Sequence, residues 1–277
     1  MPCLPKMPVT VLLVLLLCSC AAPTAAPANA PTTAPAAEIT VFAAASLTQA
    51  FKEIGQEFEA ANTNVSVVFN FAGSDKLAQQ INQGAPADVF ASANAKQIDV
   101  VVQAGGASAE QVKPFVRNRL AVIFPADNPA QIASLADLAK PGIKLVLANK
   151  SVPVGSYSLD VFAKASQLPE YTASYSPTVL ANVVSYEENV KAVLSKVVLG
   201  EADAGIVYTS DIVRDSVDKI GRLEIPDALN TLATYPIAAT TGAKQPALAE
   251  AFVEYVLSPA GQQILRDYGF IPVGAKS

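Results

Sequence analysis

Two serines occupy similar positions in the chain, each directly after an apolar segment that ends in small residues. Ser46 follows Phe42–Ala45, and Ser74 follows Phe71–Gly73. Both serines open segments with the apolar spacing of a helix, and Ser46 and Gln49 have the spacing of a capping box. A helix start offers unpaired N–H groups and a partial positive charge, so a hydroxyl there serves as a cap or as a further donor to an anion. Because the same layout occurs twice, we favour an anion site over two independent caps.

Three later corners of the chain also carry hydrogen-bond donors. Pro153 and Gly155 fix an unusual turn at a predicted helix start, where the glycine allows the backbone to approach a ligand closely. Asn189 precedes another predicted helix and is suited to cap it. The strand that ends at Val207 continues into Tyr208, which serves as a core residue at the strand edge or as a further donor. The five corners together indicate a site for a solute or an anion.

The composition removes several classes of function. The 277 residues include no histidine and no tryptophan, which excludes a histidine-based catalytic triad, imidazole metal ligands and an indole binding face. The net charge of −5 argues against a nucleic-acid-binding protein, and 51% hydrophobic residues argue against a disordered chain. Lys76, Lys150 and Lys191 lie near the corners in sequence, and we expect all three to be solvated. An enzyme would need Lys76 or Lys191 to activate a serine, so we predict that the protein is not an enzyme.

The N-terminus has the features of a bacterial lipoprotein signal. A single basic residue precedes the apolar run Val9–Leu17, which is too short to cross a bilayer. The run leads into Leu17–Cys20, which resembles a lipobox with Leu at −3 and Ser at −1 of its last cysteine. Cys18 fits less well because a bulky residue directly precedes it. We predict a signal peptide over 1–20 and lipidation of Cys20, and the alternative is a plain secretory signal cleaved one or two residues later.

The rest of the chain divides into a tether and a folded part. Residues 21–37 contain only Ala, Pro, Thr and one Asn, so they can form no core and are predicted to be an extended tether. From residue 38 onward, short apolar segments alternate with amphipathic ones, which is typical of an α/β fold with mainly parallel sheets. Ligands of such sheets bind beyond the carboxyl ends of the strands, where the five corners lie. Strands are predicted over 39–43, 65–69, 88–91, 120–124, 144–148, 204–207, 223–225 and 236–239, and helices over 46–60, 74–82, 96–103, 135–139, 155–165, 190–199, 246–257 and from 259 onward.

Several strings resemble the molybdate-binding proteins of bacterial ABC importers, in the same order along residues 39–270. They are Ile39–Thr48, Gly84–Ala93, Val152–Gly155, Gly205–Asp211 and Arg266–Phe270. The resemblance implies a periplasmic-binding-protein fold of two α/β lobes, with tetrahedral molybdate or tungstate in the cleft between them. It also implies two crossovers between the lobes, near Arg119–Leu120 and Tyr235–Pro236. Lobe one would then comprise 38–119 and 236–277, and lobe two would comprise 120–235.

The resemblance also implies a set of ligand-binding groups. Their members are the hydroxyl and amide of Ser46 and of Ser74, the backbone N–H groups of Val154 and Val190, and the hydroxyl of Tyr208. Molybdenum would be bound only as its oxyanion, with no direct side-chain ligand and no cofactor. This sequence departs from the family at Gly73 and Asp75, where relatives often have Ser, and at Val154, where they often have Ala.

The function implied by the resemblance is capture and delivery of an oxyanion. The protein would be a lipid-anchored monomer on the extracytoplasmic face of the membrane, serving an inner-membrane permease and its ATPase, with no nucleic-acid partner. The alternative ligand is sulfate or another oxyanion, because the same donors suit any of these ions. An extracellular sensor domain is a further alternative, and a ferric-ion binder is disfavoured because no adjacent pair of tyrosines is present.

Overall fold

The computed structural model describes residues 37–212 and 216–273. The predicted signal peptide with Cys18 and Cys20 lies outside the described residues, as does the tether up to residue 36. No helix in the described part of the chain combines the length and the hydropathy needed to span a bilayer.

The described part of the chain contains eleven strands and eight α-helices. The strands are β1 (Ala37–Ala44), β2 (Val65–Ala72), β3 (Val89–Ala91), β4 (Lys113–Asn118), β5 (Leu120–Pro125), β6 (Leu145–Ala148), β7 (Val183–Glu187), β8 (Ala204–Tyr208), β9 (Ile220–Glu224), β10 (Ala233–Ala239) and β11 (Ile271–Pro272). The helices are α1 (Thr48–Ala61), α2 (Ser74–Asn82), α3 (Ala95–Gln103), α4 (Pro153–Ala165), α5 (Tyr175–Ala181), α6 (Val190–Val198), α7 (Pro246–Leu257) and α8 (Pro259–Asp267). Short 3₁₀ helices cover Ala45–Leu47, Ala109–Gln111, Leu135–Ala139 and Thr209–Asp211.

The strands form two sheets. The six-stranded sheet has the order β11-β4-β10-β3-β1-β2, and the five-stranded sheet has the order β7-β6-β8-β5-β9. In the first sheet β1 is parallel to β2 and β3, and in the second sheet β6 is parallel to β7 and β8. The other described pairs are antiparallel, so the α/β class is confirmed, whereas the expectation of mainly parallel sheets is wrong.

The chain passes from one sheet to the other twice. β4 ends at Asn118 in the six-stranded sheet and β5 begins at Leu120 in the five-stranded sheet, so the first passage is at Arg119. The return takes place between β9 and β10, because Tyr235 of β10 already pairs with Val116 of β4. The predicted second crossover at Tyr235–Pro236 therefore falls inside a strand of the six-stranded sheet rather than between the sheets.

Helix α1 illustrates how the sequence pattern builds the core. The predicted apolar stripe is entirely buried, and it consists of Leu47, Ala50, Phe51, Ile54 and Phe58. The Phe51 ring lies 5.8 Å from the Phe115 ring and 6.2 Å from the Phe252 ring, between their centroids. This packing holds the 3₁₀ turn at Ala45–Leu47 against the six-stranded sheet, and that turn carries the first of the two serines.

Three described strands and one described α-helix were missed by the sequence patterns: β4, β7, β11 and α5. Lys113 and Pro114 obscure β4, since neither residue is typical of a strand. In β7, Val184 and Tyr186 are 59% and 52% exposed. The apolar and polar residues of this strand therefore do not alternate between a buried and an exposed face. Helix α5 is only seven residues long and contains Pro177, which disfavours a helical interpretation.

Candidate functional site

Five residues from separate corners of the chain line one small cavity. They are Ser46, Ser74, Val154, Val190 and Tyr208, which are the residues predicted from the sequence. The empty space between these residues is about 210 Å³. Its other lining residues are small or apolar apart from one asparagine: Ala44, Ala45, Ala72, Gly73, Ala93, Val152, Pro153 and Asn189. The cavity lies where β1, β2 and β8 end and where α2, α4 and α6 begin.

Ser46 is held by a side chain rather than by a helix end. It lies in the 3₁₀ turn after β1, it is 5% exposed, and no side-chain hydrogen bond caps this turn. Its Oγ is 2.9 Å from the Oη of Tyr235, a residue of β10. The capping interpretation of Ser46 is therefore wrong, because the hydroxyl is engaged by a distant strand.

Ser74 is the first residue of α2, and its oxygen is also engaged. The N–H of Ala93 donates to Ser74 Oγ at 3.0 Å, so the serine proton is available for another acceptor. Gly73 is the N-cap of α2 and supplies no side-chain cap. A Cβ at Gly73 would lie 2.7 Å from the carbonyl oxygen of Glu188. The corner is therefore packed too closely for the Ser that relatives often have at this position.

Two helix starts supply backbone donors. Val154 is in the first turn of α4, where N–H groups have no partner within the helix. Gly155 allows this start, because a Cβ there would lie 2.1 Å from the carbonyl oxygen of Asn149. Val190 is the first residue of α6, and the predicted cap by Asn189 is confirmed, since its Oδ1 accepts the N–H of Ala192 at 3.0 Å.

Tyr208 ends β8 and is 1% exposed. Its hydroxyl is buried and has no hydrogen-bond partner among the described residues. Burial raises the pKa of Tyr208 well above its ordinary value of 10, so the hydroxyl keeps its proton. A buried, protonated and unpartnered hydroxyl costs free energy in the empty protein, and an acceptor in the cavity would remove that cost.

Charged side chains stand behind the cavity rather than in its wall. Lys76 and Lys150 are exposed, as expected. Lys191 is not simply solvated, because its Nζ lies 2.8 Å from Oδ1 of the fully buried Asp211 carboxylate. Asp211 Oδ2 also accepts the backbone N–H of Tyr208 at 3.2 Å, so the ion pair fixes the strand end that carries the tyrosine. The expectation for Lys191 is therefore wrong.

Two hydrogen bonds at Ser151 join the surroundings of both sheets at the cavity. Ser151, in the turn before α4, donates from its hydroxyl to Asp75 Oδ2 of α2 at 2.7 Å. Gln97 of α3 donates to the Ser151 carbonyl oxygen at 3.2 Å. Asp75 stands where relatives often have Ser. Its carboxylate accepts the hydrogen bond from Ser151, and Asp75 is not among the residues that line the cavity.

The arrangement suits a small ligand that accepts hydrogen bonds. The lining residues carry no charge, so the attraction for an anion would come from hydroxyl and backbone donors and from helix N-termini. Within residues 37–212 and 216–273, no three metal-ligating side chains cluster together. Sequence reasoning missed the roles of Tyr235 and Ala93, whose contacts with Ser46 and Ser74 depend on strand pairing. It also missed the local contact of Asp211 with the Tyr208 N–H.

Comparisons with known proteins identify the family of the chain. The family model for bacterial extracellular solute-binding proteins matches residues 39–271. Molybdate-binding protein ModA of Mycobacterium tuberculosis (strain ATCC 25618 / H37Rv) is 40% identical over 256 residues, which cover 92% of this chain and 92% of that protein. ModA of Escherichia coli is 31% identical and covers 84% of this chain and 88% of its own. The solved periplasmic molybdate-binding protein of Azotobacter vinelandii has the same fold, with a TM-score of 0.72, 22% identity and coverage of 84% of this chain and 98% of that one. The chain therefore belongs to the bacterial extracellular solute-binding protein family, and within it to the group of the ModA molybdate-binding proteins.

Proposed function

We propose that the protein captures molybdate or tungstate as a tetrahedral oxyanion in the cavity lined by Ser46, Ser74, Val154, Val190 and Tyr208. The observation that carries the proposal is the Tyr208 hydroxyl, which is buried and protonated and has no partner among the described residues. An oxyanion would supply the missing acceptor. No side chain would bind molybdenum directly, and no cofactor would be needed.

The donor chemistry alone does not separate one oxyanion from another, so sulfate is the second candidate. The positions of the donors do separate them. The donors sit on helix starts and on packed turns, so a smaller ion cannot reach all of them and leaves some unpaired. We therefore expect molybdate and tungstate to bind with similar affinity and sulfate to bind far more weakly.

Isothermal titration of the purified protein with molybdate, tungstate, sulfate and phosphate tests this proposal. Tight binding of molybdate and tungstate with weak binding of sulfate supports it. Equal affinity for sulfate would instead indicate a protein that binds oxyanions in general. Turnover of generic ester or phosphate substrates would instead support an enzyme.

We also propose that the two sheets belong to lobes that close over the ligand, with lobe one over 38–119 and 236–277 and lobe two over 120–235, apart from the first residues of β10. The contact between Ser151 and Asp75 supports this, because it links a turn next to the five-stranded sheet with a helix next to the six-stranded sheet. Saturating molybdate should then make the molecule more compact in solution scattering. Identical scattering curves with and without the ion would contradict closure.

Delivery completes the proposed function. Members of this family are extracytoplasmic, and we propose that the ion passes to an inner-membrane ABC permease and its ATPase from a monomer anchored through lipid on Cys20. Cys20→Ala should release the protein from membranes, whereas the matched variant Cys18→Ala should remain bound. Membrane retention of both variants in cell fractionation would exclude anchoring at Cys20.

A further inference from the structure

A buried chain of polar side chains runs behind Ser46. Ser46 Oγ lies 2.9 Å from Tyr235 Oη, and Asn118 Nδ2 lies 3.4 Å from the same Tyr235 oxygen and 2.7 Å from Ser210 Oγ. Tyr235 and Asn118 are both 0% exposed. None of these contacts belongs to a helix cap or a strand ladder.

The direction of the hydrogen bonds in this chain is fixed at Asn118. Its Oδ1 accepts the backbone N–H of Arg119 at 3.0 Å and the hydroxyl of Thr209 at 3.1 Å. A backbone N–H can only donate, so this end of the amide must be the oxygen. The NH₂ end therefore faces Tyr235 and Ser210, and Asn118 acts only as a donor to the tyrosine oxygen.

The donor role of Asn118 determines which of Tyr235 and Ser46 donates to the other. Tyr235 Oη receives a hydrogen from Asn118, and we infer that its own hydrogen goes to the Ser46 oxygen, which is the nearest hydroxyl at 2.9 Å. The Ser46 hydrogen is then not used by Tyr235 and is available to the cavity. Burial raises the pKa of Tyr235, which keeps the tyrosine proton in place. Ser74 is set in the same way by the N–H of Ala93, so both serines are donors toward the cavity.

We propose that Tyr235, oriented by Asn118, is a positioning residue that makes Ser46 a dedicated hydrogen-bond donor to an oxyanion in the cavity. The inference rests on the proposed function and adds to it two residues that do not line the cavity. Hydrogen bonds in such a chain polarise one another, so loss of the tyrosine hydroxyl weakens the Ser46 donor without removing it.

Tyr235→Phe in the full chain tests the proposal. The ring contacts with Phe115, Tyr208 and Phe270, at centroid distances of 6.4, 5.7 and 5.7 Å, do not need the hydroxyl. We expect molybdate affinity in calorimetry to fall by about five-fold. A purely structural role would lower the melting temperature and leave the affinity of the folded protein unchanged, which would overturn the proposal.

A double-mutant cycle shows whether Tyr235 acts through Ser46. Ser46→Ala should weaken molybdate binding by about ten- to a hundred-fold in the wild type, and adding Tyr235→Phe should cost less than about a further two-fold. Ser74→Ala is the matched control, and its cost should be the same with and without Tyr235→Phe. Additive losses for Ser46 and Tyr235 overturn the relay alone, whereas a wild type that binds none of the four ions overturns the proposed function together with it.

A second variant covers the case in which Tyr235→Phe folds poorly. Asn118→Asp replaces the donor with an acceptor, so Tyr235 would donate to the carboxylate and would take up the Ser46 hydrogen. Binding should then fall about as far as in Ser46→Ala, and the double variant N118D/Y235F should bind molybdate more tightly than N118D. Absence of this rescue in variants with native circular dichroism contradicts the proposal.

Discussion

The two sides of the cavity offer hydrogen-bond donors in different ways. On the side of the six-stranded sheet, the oxygens of Ser46 and Ser74 already have partners, Tyr235 and the Ala93 N–H. On the side of the five-stranded sheet, the N–H of Val154 lies in a first helical turn and the Tyr208 hydroxyl has no described partner. The serine oxygens of the first side are therefore held in place before a ligand arrives, whereas the tyrosine hydroxyl of the second side gains a partner only from the ligand.

This difference separates stability from binding. A substitution on the six-stranded side should lower both, because it leaves a buried donor unpaired as well as removing a ligand contact. A substitution at the unpartnered tyrosine should lower binding alone. The following variants test that distinction, in order of decreasing expected effect.

The largest effect is expected for Gly155→Ala. The added Cβ would lie 2.1 Å from the Asn149 carbonyl oxygen and 2.4 Å from the Ala148 carbonyl oxygen, so α4 must move away from its position. We expect the free energy of unfolding to fall by about 3 kcal/mol, and molybdate binding to fall more than in any hydroxyl deletion. Gly242→Ala is the control, because its Cβ would meet nothing within 4 Å. Equal urea midpoints for the two variants would contradict the prediction.

Ser74→Ala should lower both affinity and stability. The lost donor should weaken molybdate binding by about ten- to a hundred-fold, at roughly 1.5–3 kcal/mol for a hydrogen bond to a charged group. The unpaired Ala93 N–H should also lower the free energy of unfolding by about 1–3 kcal/mol. Calorimetry and urea unfolding measure the two losses. The exposed Lys76→Ala is the control, and a greater loss of affinity there than in Ser74→Ala would show that charge rather than dipoles holds the ion.

Tyr208→Phe should weaken binding while leaving the empty protein at least as stable. The hydroxyl has no described partner to lose, and its removal ends the cost of an unpaired buried group. We expect molybdate affinity to fall by about ten-fold or more and the melting temperature without ligand to stay the same or rise. A clear drop in that melting temperature would mean that the hydroxyl is bonded in the empty protein.

The smallest effect is expected from pH. The hydroxyls of Tyr208 and Tyr235 keep their protons because burial raises both pKa values, so molybdate affinity should be nearly constant between about pH 6 and pH 9. Burial also raises the pKa of Tyr157 to about 12. Above about pH 10 the unfolded chain loses tyrosine protons that the folded protein keeps, so the free energy of unfolding should decrease with rising pH. Urea unfolding across this range measures the decrease. A free energy of unfolding that rises with pH would contradict the raised pKa values of these tyrosines.

Much of the fold was predictable because its signals are local. The bounds of α2 and α7 agree with the apolar spacing, and the caps at Asn189 and Ser258 agree with their residue types. The missed strand β7 carries Val184 and Tyr186 on an exposed face, so burial leaves no trace in its pattern.

The residues that line the cavity were accessible to sequence reasoning in a way that their supports were not. Small residues before Ser46 and Ser74 mark strand-to-helix corners, and the family resemblance then selected the lining residues. Tyr235 is 189 positions from Ser46, and their contact depends on the pairing of β10 with β3 and β4. No spacing pattern along the chain indicates which residues of these strands pair with one another.

The position of β1 has a mechanical consequence. This strand lies between β2 and β3 and is paired with β2 along its whole length, from Ala37 to Ala44. A pull on residue 37 along the strand loads these hydrogen bonds together, because they run across the direction of the strand. We therefore expect β1 to resist such a pull more strongly than the two-residue edge strand β11, which pairs only with β4 among the described strands.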